Sequence, residues 1–310
     1  MKKEEVSEEK LEWLRLKVKH QDRIHAALLA VFFIYYVADR WFNLFEGNRL
    51  IFWGVFFIIV IIELIEYRYR KKVLGPTYRS FVGTFKNTYV ISMISGLAGF
   101  SDLSYDPEGG ISWDEIRNCG VVNRAEKELY SCSDLLKGRF RGVWFAVSNV
   151  ATKRWKEIRY GYSSRDKIIF IGRMISFFLP EAFPTCRGRI QIFYKKAQPD
   201  ISGQLLEHEI KTGDEQFDQK FAVYSEYEDT PGMILTPEMC ERIRRFSQAV
   251  GTQIAVAFWD RYVYVAVYGK RQFAVDCYTP IAQQKERFLE DANLLSLAER
   301  ILLEGEKMGS

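Results

Sequence analysis

Histidine is scarce in this chain of 310 residues, which contains only His20, His25 and His208. The first two lie beside or within the apolar stretches near the N-terminus. A Ser/His or Cys/His nucleophilic site in the rest of the chain would therefore need His208. His208 lies in an alternating segment, residues 205–210, that is typical of a strand. We interpret it as an ordinary strand histidine.

Close cysteine pairs and phosphate-binding loops are also absent. The five cysteines are Cys119, Cys132, Cys186, Cys240 and Cys277. Their number is odd and none forms a CxxC pair, which argues against a zinc site or a disulfide scaffold. HExxH, GxxxxGK[ST] and GxGxxG do not occur, which argues against zinc proteases, ATPases, kinases and dinucleotide oxidoreductases. We therefore expect no cofactor, no metal and reduced cysteines.

Two long apolar runs do occur, at residues 24–38 and 50–62. With their flanks each approaches the roughly 20 predominantly apolar residues of a membrane-spanning helix. Neither run has the polar face of a surface helix. The sequence predicts a transmembrane helical hairpin at residues 24–67 with a short connector at 39–49. The alternative is a pair of buried helices in a soluble protein.

Basic residues flank the two runs. Lys and Arg residues precede the first run and follow the second, whereas the connector holds only Arg40 and Arg49. Cytoplasmic flanks of membrane helices carry the excess of positive charge. We expect a two-pass protein of the cell inner membrane with both termini in the cytoplasm. Residues 1–23 are predicted to form an amphipathic cytoplasmic helix, because Leu11, Leu14 and Val18 recur at helical spacing.

The rest of the chain predicts an α+β cytoplasmic domain, residues 75–304, built on a mostly antiparallel sheet with flanking helices. Gly75–Pro76 is interpreted as a break at the start of its first helix, which has Pro76 in its first turn and ends at about residue 97, and Ser112 with Glu115 as a capping box. Strands and helices do not alternate, which disfavours a doubly wound nucleotide-binding fold. Strands are predicted at residues 139–147, 167–171, 174–179, 188–194, 205–210, 221–225, 253–259 and 262–268, and further helices at 236–250 and 281–304.

Several motifs in this domain resemble those of a known family. They are Asp134–Gly142, Ile169–Arg173 with Gly188-Arg189-Ile190, and Phe217–Ser225 followed by Leu235-Thr236-Pro237. Together they are similar to the bacterial domain-of-unknown-function family 3137 over about residues 75–280. The resemblance implies two N-terminal membrane helices and this architecture. It adds no catalytic residues.

Charge is segregated within the domain. Residues 153–196 are rich in Lys and Arg, and residues 200–241 in Asp and Glu. The two blocks could neutralise each other across neighbouring strands or remain solvated. Alternatively, interleaved cations and aromatic rings suit an anionic lipid surface, whereas nucleic acid is less expected for a tethered domain. The predicted lipid- and anion-binding residues are Lys153, Arg154, Trp155, Lys156, Arg159 and Tyr160.

The sequence favours a membrane-anchored cytoplasmic binding or scaffold module, which engages a protein partner and the anionic inner leaflet. A second hypothesis is a metal-dependent nuclease-like enzyme that uses Asp200, Glu209 and Lys211, since carboxylates beside a lysine could hold magnesium and stabilise charge. A third is an oligomeric channel or transporter component.

Overall fold

A computed structural model describes residues 8–42, 49–122, 127–156, 165–181, 185–195, 206–269 and 271–303. The chain divides into two compact units. The first consists of residues 1–89 and 275–284, and the second of residues 90–274 and 285–310. We call them the helical unit and the sheet unit.

The helical unit is built from three successive helices. Helix α1 spans Glu8–Phe42, α2 spans Arg49–Tyr69, and α3 begins at Gly75 and ends at Ile94. The predicted break at Gly75–Pro76 is wrong, because a π-helical turn, Arg70–Leu74, joins α2 directly to α3. Pro76 lies in the first turn of α3, where proline is tolerated. In the π-helical turn the Gly75 N–H donates to the Arg70 carbonyl, five residues back, as in a π-helix.

The N-terminal half of α1 packs against residues of the helical unit that are distant in sequence. Leu11 and Val18 are buried, and Val18 contacts Leu74 and Cys277. Arg15 is buried as well, and its Nη1 donates to the Cys277 carbonyl at 2.9 Å. The predicted amphipathic helix thus exists as the first turns of one continuous α1, and its apolar stripe is used for packing.

Helices occupy both apolar runs of the sequence. In the described part of the chain, no helix is both long enough and apolar enough to cross a membrane. The predicted transmembrane hairpin is therefore not confirmed. Residues 43–48, at the centre of its connector, lie outside the described residues.

The sheet unit contains one antiparallel sheet of nine strands among its described residues, in the order β1-β2-β3-β4-β9-β8-β5-β7-β6. The strands are β1 Phe100–Asp106, β2 Tyr130–Phe140, β3 Val143–Lys156, β4 Arg165–Phe178, β5 Cys186–Tyr194, β6 His208–Ile210, β7 Phe221–Ser225, β8 Ile254–Asp260 and β9 Tyr262–Tyr268. This confirms the α+β class and the large antiparallel sheet.

The first hairpin differs from the prediction. The predicted strand at residues 139–147 contains the tight turn between β2 and β3, where Arg141 and Gly142 both have positive φ, 50° and 86°. Two-residue hairpin turns require such angles. The two strands predicted at 167–171 and 174–179 are one strand, β4, because Gly172 pairs with Tyr268 within the ladder and does not interrupt it. Strand β1 lies in a stretch for which no strand was predicted.

Five further helices complete the described structure: α4 Trp113–Cys119, α5 Glu215–Lys220, α6 Thr230–Ile234, α7 Pro237–Val250 and α8 Ile281–Leu303. Helix α7 confirms its prediction. Thr236 Oγ1 accepts from the Met239 N–H at 3.2 Å, and Gly251 ends the helix at φ 68°. A side-chain cap and a left-handed glycine are the usual signals at the two ends of a helix.

A buried polar network ties β2 and β3 to the segment that follows β9. Asp134 is buried, and its carboxylate accepts from Tyr105 Oη at 2.5 Å and Asn149 Nδ2 at 2.9 Å. Asn149 Oδ1 accepts from the Gln272 N–H at 2.7 Å. Buried polar groups need such partners, because an unsatisfied one is costly. The network therefore fixes these three segments in register.

Candidate functional site

The predicted lipid-binding patch lies at the end of the β3–β4 hairpin. Lys153 pairs with Ile168 in the ladder and Lys156 with Arg165, and the side chain of Lys153 is half-buried. Arg159 and Tyr160 lie outside the described residues, as do the side chains of Arg154, Trp155 and Lys156. The structure therefore places the backbone of residues 153–156 at one end of the sheet, and the role of the patch in lipid binding stays a prediction.

The acidic and basic blocks meet within the sheet. Arg189 on β5 forms an ion pair with Glu226, just after β7, at 2.5 Å. Strands β5 and β7 are neighbours, so this pair joins the two blocks across the ladder. Other acids of the block pair locally: Asp214 lies 3.7 Å from Arg244 of α7. Internal neutralisation, one of the two interpretations of the charge pattern, is thus present for these residues.

The residues of the nuclease hypothesis are only partly described. Glu209 lies on the edge strand β6, and its carboxylate is 3.6 Å from Lys211 Nζ, with both side chains exposed. Asp200 lies outside the described residues. Within the residues that the structure describes, no cluster of three or more His, Cys, Asp or Glu side chains could hold a metal ion. The nuclease hypothesis stays a prediction.

The helix pair α1–α2 has an unusual distribution of side chains. Phe32 of α1 contacts Phe56 of α2 with ring centroids 6.2 Å apart. On α2 the half-buried stripe that includes Phe56 also carries Glu63 and Glu66. The opposite face is exposed and apolar: Phe57 is 59% exposed and Ile65 is 64% exposed. Further exposed members are Trp53, Ile58, Ile61, Ile62 and Leu64 on α2, and Leu29, Val31, Phe33 and Ile34 on α1.

In a water-soluble helix the apolar stripe faces the interior and the charged residues face water. Here two acidic residues lie on the inner stripe and the outer surface is apolar. Soluble monomers rarely expose a continuous apolar patch of this kind, and such patches mark interaction or membrane surfaces. This surface is the first candidate functional feature.

The second candidate is a cleft of about 390 Å³ on one face of the sheet unit. Two adjacent rungs of the ladder form its floor and wall. The first rung runs Lys137, Ala146, Ser176, Tyr264 across β2, β3, β4 and β9. The second runs Arg139, Trp144, Phe178, Tyr262 across the same four strands. Residues two apart on a strand share a face, so both rungs point to the same side.

Helix α4 determines where the cleft begins. Ile116 of α4 belongs to a buried cluster with Met174 and Ala266, which pair one rung away from Ser176 and Tyr264. The Ile111 N–H donates to Ser148 Oγ at 3.1 Å and holds the segment before α4 on the sheet. Beyond this cover the sheet face is open.

Aromatic rings and cations line the open end. Phe178 and Tyr262 have ring centroids 5.1 Å apart. The guanidinium of Arg139 lies 4.3 Å from the centroid of Trp144, and that of Arg261 lies 4.8 Å from Phe178. Trp144 remains 43% exposed despite its neighbours. Cation–π contacts hold these rings in place, so the wall is a preformed aromatic surface with positive charge at its rim.

The inner end of the cleft contains Glu115 from α4. Burial raises the pKa of Glu115 above its usual range, against the positive charge of Lys137 and a hydrogen bond from Tyr264, which lower it. Tyr264 is only 2% exposed, and burial followed by the Glu115 charge raises its pKa. A carboxyl with a perturbed pKa inside a cleft is a common mark of a functional site, although structural networks produce the same effect.

The sequence did not predict this cleft. Ser112 and Glu115 were interpreted as a helix cap, and Ser112 Oγ indeed accepts from the Glu115 N–H at 3.2 Å. The alternation of Trp144 with Ala146 and of Ser176 with Phe178 was visible in the chain. The register that brings these residues side by side was not, because the turn at Arg141–Gly142 was missed and sequence pattern alone does not set strand order.

The fold defines an α+β protein with one large antiparallel sheet and flanking helices. Residues 169–304 match the family described as Protein of unknown function (DUF3137). The matched region contains Ser176, Phe178 and Tyr262 of the cleft, but neither Lys137 nor Glu115. The resemblance of the Asp134–Gly142 motif and the family's membrane helices lie outside the match and are not confirmed. No curated protein and no solved structure matches the chain.

Proposed function

We propose that this protein is a membrane-anchored binding module: the C-terminal half of α1 and helix α2 lie in the apolar part of the cell inner membrane, and the sheet unit acts by binding rather than by catalysis. The observation that carries the proposal is the reversed side-chain distribution of α2, with Glu63 and Glu66 on the inner stripe and Ile and Phe outside. The two helices present this apolar surface together.

The positive charge at the end of α2 supports an orientation in which this end of the helix lies on the cytoplasmic side. Lys71 and Lys72 in the π-helical turn are exposed, as is Arg68 at the end of α2. Arg70, by contrast, is paired with Asp22 at 2.8 Å. Exposed Lys and Arg beside an apolar segment favour the cytoplasmic side and gain about 1 kcal/mol each near anionic lipid. Both termini are therefore proposed to be cytoplasmic.

The binding role is supported by the sheet unit, which offers a preformed cleft. A protein partner remains part of the proposal. The acidic block is a poor candidate for its docking face, because Glu226 and Asp214 are already paired with arginines.

The test compares two substitutions at equally exposed isoleucines. Ile61 on α2 is 54% exposed and Ile168 on β4 is 53% exposed. A lysine in the middle of a membrane-embedded helix costs about 2.5–3.5 kcal/mol, which corresponds to about a hundredfold in partitioning. We expect Ile61→Lys to release the full-length chain from floating liposomes. If a single charge is tolerated, the double variant with Ile58→Lys should release it. Ile168→Lys should float like the unmodified protein.

Equal flotation of the α2 and β4 variants would contradict the anchor. A chain that stays in the aqueous phase and forms a defined oligomer would show that the apolar surface is instead covered by other copies. The channel hypothesis would gain support only if such an oligomer also conducted ions after reconstitution.

A further inference from the structure

The cleft on the sheet unit has the properties of a small-molecule site rather than those of a gap in packing. Its volume of about 390 Å³ is within the range of about 300–1,000 Å³ that ligand pockets occupy. The side chains on its floor, Ala146 and Ser176, are small, and they lie between Lys137 and Tyr264 in the same rung. The cleft is therefore flat between these two polar residues, and the rings of Trp144, Phe178 and Tyr262 form one side of it.

The aromatic wall determines the shape of the occupant. Trp144 and Tyr262 are 43% and 36% exposed, although the opposite side of the same strands is fully buried, as at Val263 and Phe177. Large rings held in fixed positions on an open sheet face favour stacking of a planar group. A planar apolar body is therefore the best match to this surface.

The charges determine the polar end of the occupant. Lys137 is exposed at the mouth of the cleft on the same rung as Ser176, and Arg139 and Arg261 lie at its rim. Both arginines already lie against aromatic rings, which leaves those rings less attractive to a second cation. The carboxyl that lines the cleft, Glu115, is held by Tyr264 and lies in the field of Lys137. Arg139 is paired with Asp102 at 3.4 Å, and Arg261 lies 3.9 Å from Glu181, so Lys137 is the cation at the mouth that can receive an anion.

We propose that this cleft binds a small planar aromatic ligand that carries an anionic group, with its ring on Trp144, Phe178 and Tyr262 and its anion at Lys137. Glu115 and Ser176 are the polar groups at the inner end that orient the ligand. The site lies entirely in the sheet unit and does not depend on the membrane anchor.

The probe is naphthoate, titrated calorimetrically into the full-length chain in detergent, with naphthylmethylammonium as a ligand of equal shape and opposite charge. We expect naphthoate to bind more tightly than the ammonium compound. Lys137→Gln should weaken naphthoate binding about tenfold, the loss expected of one charge-assisted hydrogen bond. Glu115→Gln should strengthen it, because the substitution removes a negative charge from the cleft that repels the carboxylate. The matched control is Lys211→Gln, at a lysine that is 66% exposed on the edge of the sheet.

A steric variant distinguishes this cleft from other apolar surfaces. Ala146→Phe adds a ring over the floor without removing a polar group, and Ala146→Ser is its control. Naphthoate binding should be lost in the first and kept in the second, with equal unfolding midpoints in denaturant.

Four results would overturn the proposal. The first is the absence of measurable binding of naphthoate. The second is tighter binding of the ammonium compound that is lost in Glu115→Gln, which would indicate a site for cations. The third is binding that Ala146→Phe does not change, which would place the probe on another surface such as the exposed helix pair. If Trp144→Ala weakens attachment to anionic liposomes but not naphthoate binding, the rung is a lipid contact and the proposal also fails.

Discussion

Helix α2 and strand β4 are both rich in Ile and Phe, but they place these side chains in opposite directions. On α2, Phe57 and Ile65 are exposed while Glu63 and Glu66 lie on the inner stripe. On β4, Phe177 and Ile175 are buried with no exposed area. The apolar side chains of the sheet gain their free energy by burial within the protein, at about 25 cal/mol per Å². Those of α2 do not.

The comparison shows that apolar composition alone does not identify a core. What differs is the position of the charged residues relative to the apolar ones. In the sheet unit the buried charge Arg173 is paired, whereas on α2 the acids occupy the side that faces α1. If α2 lies in lipid, substitutions on its outer face should hardly change the folding of the sheet unit. The following predictions test this separation, beginning with the largest effect.

Phe177→Ala and Phe57→Ala delete the same ring in the two environments. Phe177 is fully buried, so its loss should lower the free energy of unfolding by about 3–5 kcal/mol. Phe57 is 59% exposed, and its loss should change that free energy by less than about 0.5 kcal/mol. Denaturant titrations of both variants in the same detergent provide the measurement. Similar losses would mean that Phe57 belongs to the folded core.

The buried ion pair between Arg173 on β4 and Asp291 on α8 gives the next effect. Arg173 is 1% exposed, and Asp291 also accepts from the Phe273 N–H at 2.7 Å. Asp291→Ala leaves a buried guanidinium without its partner and should cost about 3 kcal/mol.

Two variants sharpen that result. The double change Arg173→Met with Asp291→Leu removes both charges and should recover most of the loss. Glu238→Ala breaks an exposed pair with Arg242 and should cost less than about 1 kcal/mol. If the double variant unfolds as readily as Asp291→Ala, packing and not charge explains the loss.

Asn149→Ala tests the buried polar network and should cost about 1–3 kcal/mol, because the Gln272 N–H and the Asp134 carboxylate lose a partner. Asn293→Ala, on the exposed side of α8, is the control and should be nearly neutral. Hydrogen exchange of the Gln272 amide would localise the effect, since faster exchange is expected only in the first variant.

The smallest expected effect is at the N-terminus of α7. Thr236→Ala removes the side-chain cap on the Met239 N–H and should cost about 1 kcal/mol. Thr236→Ser keeps the hydroxyl and should retain most of the stability. A loss of equal size in both variants would show that the methyl group of Thr236, and not its hydroxyl, matters.

The parts of the fold that were predicted correctly are those with local signals. Helix α7 has a cap, a proline at its first residue and a terminal glycine, and β9 is a run rich in β-branched and aromatic residues next to the Asp260–Arg261 turn. The parts that were missed depend on long-range context. Strand β1 has the polar sequence FSDLSYD and pairs at the sheet edge. The cleft needs four strands in register, which no local pattern encodes.

The most direct test of the central claim is the environment of the outer face of α2. Nitroxide labels at Phe57→Cys, Ile61→Cys and Ile65→Cys would be compared with one at Met233→Cys on α6, which is 70% exposed. The protein is reconstituted in liposomes after its own cysteines are replaced. The account predicts high collision rates with oxygen and low rates with a water-soluble nickel complex on α2, and the reverse on α6. Free access of the nickel complex to all three α2 positions would contradict it.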